Sequence, residues 1–358
     1  MRQLLAVLFL VGRIFSPGYS LIMQLRAFLY RKNIFLKSQQ LSMPVISIGN
    51  LTLGGTGKTP MVRYVIRMLL DRGFRPAIVS RGYGGKASAE VNIVADGTRI
   101  LLPPDMAGDE PFMLAEALPG VPVLTGLKRA RVAEHAIGEF GVNLMVMDDG
   151  FQHLAVRRDL DLVLFSAGTL LGNGRVFPGG ELREPLSALG RAHAFVITGV
   201  DSGNLVKAED FQRSLQGAFP GKPVFLGEYL PVGIWHSRQG KVCTLAEARK
   251  IPVFAFAGIA NPDSFRQTLR QQGFPVAGFR EFKDHHGYTP QDVMALVAAA
   301  RACGAQALVT TEKDFVKLRP FFGEFPILAL TIELRMGQDF NLFMAERLCE
   351  HPTNCSCG

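Results

Sequence analysis

Six consecutive residues, Gly54-Gly55-Thr56-Gly57-Lys58-Thr59, have the types and order that could hold a nucleoside triphosphate such as ATP. In such a loop backbone N–H groups converge on phosphate, and the positive end of the following helix adds to them. Lys58 can reach the β- and γ-phosphates, and the Thr59 hydroxyl can ligate Mg²⁺. The usual pattern opens with a glycine five residues before Gly57, where this chain has Thr52. The flexibility must then come from Gly49, Gly54 and Gly55. The competing reading is a plain glycine turn joining a strand to a helix.

A nucleotide loop needs an acid at the end of a neighbouring strand. The apolar run Asn143–Met147 leads directly into Asp148-Asp149-Gly150-Phe151-Gln152-His153. One carboxylate there can bind Mg²⁺ while the second orients or shares it. Taken alone, Asp-Asp-Gly is equally a turn. Gly108-Asp109-Glu110-Pro111 offers an acidic pair that could serve as base toward a hydroxyl, although a helix cap followed by proline explains it as well. In Asp284-His285-His286 the adjacent histidines point apart. That disfavours a shared metal and leaves one histidine oriented by a carboxylate, or a loop histidine. Thr310-Thr311-Glu312-Lys313-Asp314 has one residue too many for the base-reading motif of GTPases. Arg81-Gly82-Tyr83-Gly84, Arg129 and Leu182-Arg183-Glu184-Pro185 could grip phosphate or simply be solvated.

These groups need elements to carry them. Short apolar runs at 44–48, 77–80, 91–94, 121–124, 143–147, 161–165 and 194–198 read as strands. Helical spacing at 61–70, 128–138 and 200–222 alternates with them. The pattern predicts an α/β fold, a P-loop NTPase-like unit over 41–222 with a mostly parallel sheet. Residues 223–250 read as a β-rich linker with turn signals at Gly233 and Gly240. A second, smaller α/β unit follows over 251–350, then a tail at 351–358.

With 358 residues, 48% hydrophobic and 20% charged, the chain can bury two cores and has no disordered tract. The net charge of +8 calls for an acidic partner: nucleotide, anionic lipid or nucleic acid. The first acidic residue is Asp71, and Arg2, Arg13, Arg26, Arg31, Lys32 and Lys37 come before it. These cations sit among apolar stretches at 4–11 and 19–30, with a break expected at Pro17 and Gly18. Neither stretch reaches the length of a membrane span. Residues 1–40 therefore read as amphipathic helices on a membrane surface, with core-packed helices or a signal peptide as alternatives. That distribution suits lipid better than nucleic acid. Of five cysteines, Cys349, Cys355 and Cys357 crowd the end, a spacing that reads as a reduced tail rather than a zinc site.

In order, the motifs Gly49-Asn50 through Lys58-Thr59-Pro60, Ser80 to Gly84, Gly108 to Pro111, Asp148 to His153, Leu182 to Pro185, Gly258-Ile259-Ala260-Asn261-Pro262, Asp284 to His286 and Thr311 to Asp314 resemble the tetraacyldisaccharide 4'-kinase family of Gram-negative bacteria. In that family Thr52 in place of the first glycine is a trait, not a departure. The resemblance implies transfer of the ATP γ-phosphate to the 4'-hydroxyl of an acylated glucosamine disaccharide 1-phosphate, giving lipid IVA. It implies a peripheral enzyme on the cytoplasmic face of the bacterial inner membrane, with no nucleic-acid partner. By the same carry-over Asp109 is the acceptor's base with Glu110 beside it, and His285 pairs with Asp109 across a cleft. Asp148 and Asp149 handle Mg²⁺, and Arg129 steadies phosphate charge. His286 in place of His285, and Arg131 in place of Arg129, stay open. A switch ATPase of the partitioning type and a kinase for another sugar are the rival readings.

Overall fold

The computed structural model describes residues 9–284 and 286–349. After a helical stretch at 9–12 come helix α1 (Ser16–Lys32), β1 (Val45–Asn50), α2 (Lys58–Asp71), β2 (Pro76–Ser80) and β3 (Asn92–Asp96). Next are α3 (Asp109–Ala117), β4 (Pro122–Thr125), α4 (Arg129–Phe140), β5 (Leu144–Asp148), β6 (Leu160–Ser166), β7 (Ala194–Thr198) and α5 (Leu205–Ala218). Strands β8 (Val224–His236) and β9 (Lys241–Cys243) lead into the last stretch. It contains β10 (Val253–Ala257), α6 (Pro262–Gln271), β11 (Val276–Glu281), α7 (Pro290–Ala302), β12 (Ala307–Thr311), α8 (Glu312–Leu318), β13 (Ile327–Met336) and α9 (Gln338–Cys349).

All thirteen strands join one sheet in the order β11-β10-β12-β13-β8-β7-β6-β1-β5-β2-β4-β3, with β9 paired to β8. Neighbours are parallel except β3 with β4, β9 with β8, and β8 with β13. Every residue of β1, β5 and β7 is buried, as strands covered by helices on both faces must be. On α2 the buried residues Met61, Val62, Val65, Ile66 and Leu69 fall on one helical stripe. Strand β1 lies between β5 and β6, so the strand succession reverses there. A crevice opens at such a switch point, beyond the carboxyl ends of the strands.

Three features depart from the expected elements. The break expected at Pro17 and Gly18 comes slightly earlier: residues 9–12 are helical, 13–15 form a turn, and Pro17 stands in the first turn of α1, where its missing N–H has no intrahelical partner to lose. Gly233 is no turn, because β8 runs straight through it, with Gly233 opposite Thr331 and Pro231 opposite Ile332. That leaves Val232 as the extra residue of a bulge, the setting in which a sheet accepts proline. Helix α8 has no counterpart among the expected elements, its apolar period being too short to register. Part of the apolar run at 4–11, His285, and the tail with Cys355 and Cys357 lie outside the described residues.

The segment leaving β5 is anchored by Arg158. Its guanidinium donates to the carbonyls of His153 and Val156, each at 3.1 Å, and to Asp161 at 2.9 Å. Both side chains of the pair are almost wholly buried. Removing one partner strands the other charge in the interior. Asp161→Ala is therefore expected to lower stability by about 3 kcal/mol in urea denaturation. A loss under about 1 kcal/mol, the scale of an exposed pair, would refute the anchor.

Candidate active site

The phosphate loop is a turn strung between β1 and α2. Gly57 caps α2 at φ 76°, and Gly54 sits at φ 102°. Both are left-handed conformations that favour glycine. A Cβ on Gly57 would also run into the Tyr229 hydroxyl. Thr198, at the end of β7, donates its hydroxyl to the Thr56 carbonyl at 2.9 Å. The Asn50 amide donates to the carbonyls of Thr52 at 2.7 Å and Gly54 at 3.4 Å, spanning the loop from inside. Thr52 is 2% exposed and bridges to Leu182, while the Leu53 amide donates to the Glu181 carbonyl. Where the usual pattern has a glycine, then, the chain is extended and zipped to the 181–183 segment, and a side chain is tolerated.

Lys58 begins α2 with its ammonium 3.3 Å from Asn50 Oδ1 and 3.4 Å from Asp149 Oδ1. The phosphate-loop lysine and the Asp148–Asp149 turn therefore meet, because β1 and β5 are adjacent and parallel. Arg183 Nη1 donates to both Asp149 oxygens, at 2.9 and 2.8 Å. Burial alone would raise the Asp149 pKa; Lys58, Arg183 and Arg129 instead hold it down to about 2. Asp148 differs. It is 1% exposed, and burial followed by the charge of Glu110 pushes it up to about 7 against the pull of Lys58. Its Oδ1 is buried with no hydrogen-bond partner. Arg129, 3% exposed, donates to the Asp149 carbonyl at 2.9 Å, whereas Arg131 pairs with Glu134 on the surface. Burial lowers the Arg129 pKa. His153 is also driven down to about 4, by burial and then by Arg129, so it is a neutral ring.

Asp109 and Glu110 open α3, next to the backbone of the Arg81–Gly84 turn: a Cβ on Gly108 would lie 2.7 Å from the Tyr83 carbonyl oxygen. The two acids face α8. Lys317 is 3.3 Å from Asp109, and Lys313 is 4.0 Å from Glu110 and 3.2 Å from Asp284. His286 turns elsewhere, with Nε2 3.2 Å from Asp292 and its ring packed on Phe282 and Tyr288. The pairing of His285 with Asp109 falls on an undescribed residue. Sequence reasoning missed Tyr229, Thr198 and Lys317. Nothing local marks the first two, but Lys313 and Lys317 stand four apart, one helical turn, which was a usable signal.

A phosphate loop at the switch point of a parallel sheet, with carboxylates at the end of the adjacent strand, defines a P-loop nucleotide-binding α/β protein. The family model for tetraacyldisaccharide-1-P 4'-kinase matches residues 8–349. A tetraacyldisaccharide 4'-kinase from Desulfotalea psychrophila is 47% identical over 336 residues, covering 94% of this chain and 95% of its own length. One from Syntrophus aciditrophicus is 39% identical, covering 91% and 89%. The crystal structure of LpxK from Aquifex aeolicus, solved in complex with ATP, superimposes with a TM-score of 0.75 at 31% identity, covering 93% of this chain and 97% of that one. The chain belongs to the tetraacyldisaccharide 4'-kinase family, and it is a phosphotransferase.

The crowding at Gly57 yields a test. Gly57→Ala is expected to weaken nucleoside triphosphate binding at least about tenfold by calorimetric titration, since the left-handed conformation alone costs roughly 1–2 kcal/mol. Unchanged affinity would mean that phosphate does not depend on this turn.

Proposed function

We propose that this chain transfers the γ-phosphate of ATP to the 4'-hydroxyl of a tetraacylated glucosamine disaccharide 1-phosphate. The observation that carries the reading is the meeting of three groups from separate elements. Lys58 of the phosphate loop touches Asp149, and Glu110 of α3 is close enough for its charge to raise Asp148. A phosphate clamp and a pair of carboxylates thus share one crevice, as transfer to a hydroxyl requires.

In this reading the loop amides from Gly54 to Lys58 bind the triphosphate, and the Lys58 ammonium exchanges Asp149 for phosphate oxygens. Asp109 accepts the proton of the sugar hydroxyl, with Glu110 beside it. Arg129 fixes the Asp149 backbone and adds positive charge behind the phosphates. Mg²⁺, when bound, would supply charge neutralisation between the phosphates. The residues fit it: Asp148 has a buried oxygen without a partner, and the Thr59 hydroxyl lies at the start of α2. Asp149 would join them by releasing Lys58 or Arg183. Among the described residues no cluster of three or more His, Cys, Asp or Glu could cage a metal. Magnesium generally needs no such cage, as phosphates and water complete its shell.

Residues 41–222 and 251–350 act here as two units that close on the substrate. A cavity of about 660 Å³, lined by Thr59, Arg63, Trp235, Val316 and Arg319 among others, opens beside the contact between them. Helix α1 is tied to the site by Tyr19, which donates to the Arg183 carbonyl at 3.1 Å, and by Arg26, which donates to the Gln152 carbonyl at 3.1 Å. Leu21, Ile22, Leu25 and Phe28 are exposed on it, and Ile14 and Phe15 just before it. No helix among the described residues is long and apolar enough to cross a membrane. An exposed apolar side with basic residues supports a peripheral position on the cytoplasmic face of the inner membrane. The basic excess is assigned to anionic lipid, not to nucleic acid.

The test is transfer of radiolabelled phosphate from ATP to the tetraacyl disaccharide 1-phosphate in detergent micelles, resolved by thin-layer chromatography. Asp109→Ala is expected to cut kcat by about 10²–10⁴ while ATP affinity stays within about threefold. Lys58→Ala should cut turnover by a similar order. ATP hydrolysis with no labelled lipid would overturn the reading.

A further inference from the structure

Several motifs play no direct part in that mechanism: Gly258, Tyr288, Thr311 and Asp314 lie in the second unit, away from the phosphate loop. In the structure they converge on one carboxylate. Asp314 is fully buried. It accepts from the Gly258 amide at 2.8 Å and from the Thr311 hydroxyl at 2.9 Å. A Cβ on Gly258 would come within 3.0 Å of Asp314 Oδ1 and 3.1 Å of the Tyr288 hydroxyl, so the pocket closes around the acid on that side too. A carboxylate so deep needs a counter-charge. Lys317, one turn further along α8, supplies it at 3.9 Å from Asp314 Oδ1.

The same ammonium reaches the other unit. It lies 3.3 Å from Asp109 Oδ2 and donates to the His286 carbonyl at 3.3 Å, with its side chain only 10% exposed. Other ion pairs cross between the units, but they differ in kind. Arg67–Glu333 and Arg319–Glu116 are more open to water, Arg63–Glu312 touches no residue assigned to the reaction, and Lys313 stands 4.0 Å from Glu110 with the partly exposed Asp284, not a buried acid, as its nearer partner. Lys317 alone of these lies between a buried acid of the second unit and the carboxylate assigned as base. Its position is fixed from behind by Asp314 and from the side by the His286 carbonyl.

We propose that Lys317 is a positioning residue for Asp109, held in place by Asp314, so that the orientation of the base depends on the second unit being seated against the first. The inference rests on the reading of Asp109 as proton acceptor. It unites the Gly258, Tyr288 and Thr311–Asp314 motifs as the walls of one socket, from which Lys317 reaches across.

The experiment compares Lys317→Met, Lys317→Arg, Asp314→Asn and, as control, Glu116→Gln in the full chain, using the labelled-phosphate assay and thermal melting. Misplacing a reacting group by about 1 Å costs on the order of 100-fold, so Lys317→Met is expected to lower kcat about 50-fold with the KM for ATP within about threefold. Lys317→Arg keeps the charge and should recover at least about fivefold of that loss; it also carries the test if the methionine variant does not fold. Asp314→Asn should lower kcat about tenfold, and Glu116→Gln, which loosens the interface elsewhere, should stay within about threefold. A Lys317→Met enzyme as fast as the parent, beside an inert Asp109→Ala, would overturn the inference alone. An active Asp109→Ala would sink the base assignment and the inference together. A control that falls as far as Lys317→Met would make the contact a mere staple between units.

Discussion

In the proposed reading the Lys58 ammonium must be held where phosphate will come, without a permanent partner that phosphate cannot displace. The structure meets this with Asp149, whose charge is balanced from the far side by Arg183. Two neighbouring carboxylates at the end of β5, one buried and one partly exposed, could not both stay ionised unaided. Their environments are driven apart: Asp149 is held down to about 2 by burial being outweighed by Lys58 and Arg183, and Asp148 is pushed up to about 7 by burial and Glu110. Like charges in one buried site are expected to split in this way. The adjacency of β1 and β5, the zipper of Thr52 on Leu182 and the buried Arg129 all keep that balance in register.

Much of this was legible in the residues, and the reason is locality. The phosphate loop, the acidic turn and the alternation of strands with helices are contiguous patterns, and β1, β5 and β7 fall within a residue or two of their expected bounds. What escaped was set by distant partners. Gly233 reads as a turn residue because a bulge against β13 cannot be seen from β8 alone. Lys317 looks like one more surface cation until α8 brings it to Asp109. Thr52 looks like a defect in the loop, and only its bridge to Leu182 shows why glycine is not needed there.

Helices α2 and α3 meet residues 312–348 through a shared apolar core, in which Val316, Leu334, Met336 and Phe340 cluster with Met61, Val65 and Leu114, and through the ion pairs Arg63–Glu312, Arg67–Glu333, Arg319–Glu116, Lys313–Glu110 and Lys317–Asp109. Ion pairs at partly solvated positions are individually weak, so the buried apolar cluster carries most of that contact.

The antiparallel seam of β8 with β13 has a consequence for the ribosome. β13 lies near the end of the chain, so β8 emerges roughly 90 residues before the strand that will cover its free edge is made, by the bounds of the two strands. At bacterial rates of about 5–20 residues per second that interval lasts several seconds. An unpaired strand edge is a template for pairing with other chains. The nascent protein thus passes through a stretch of synthesis in which it is open to misassembly, and chaperone demand should concentrate there.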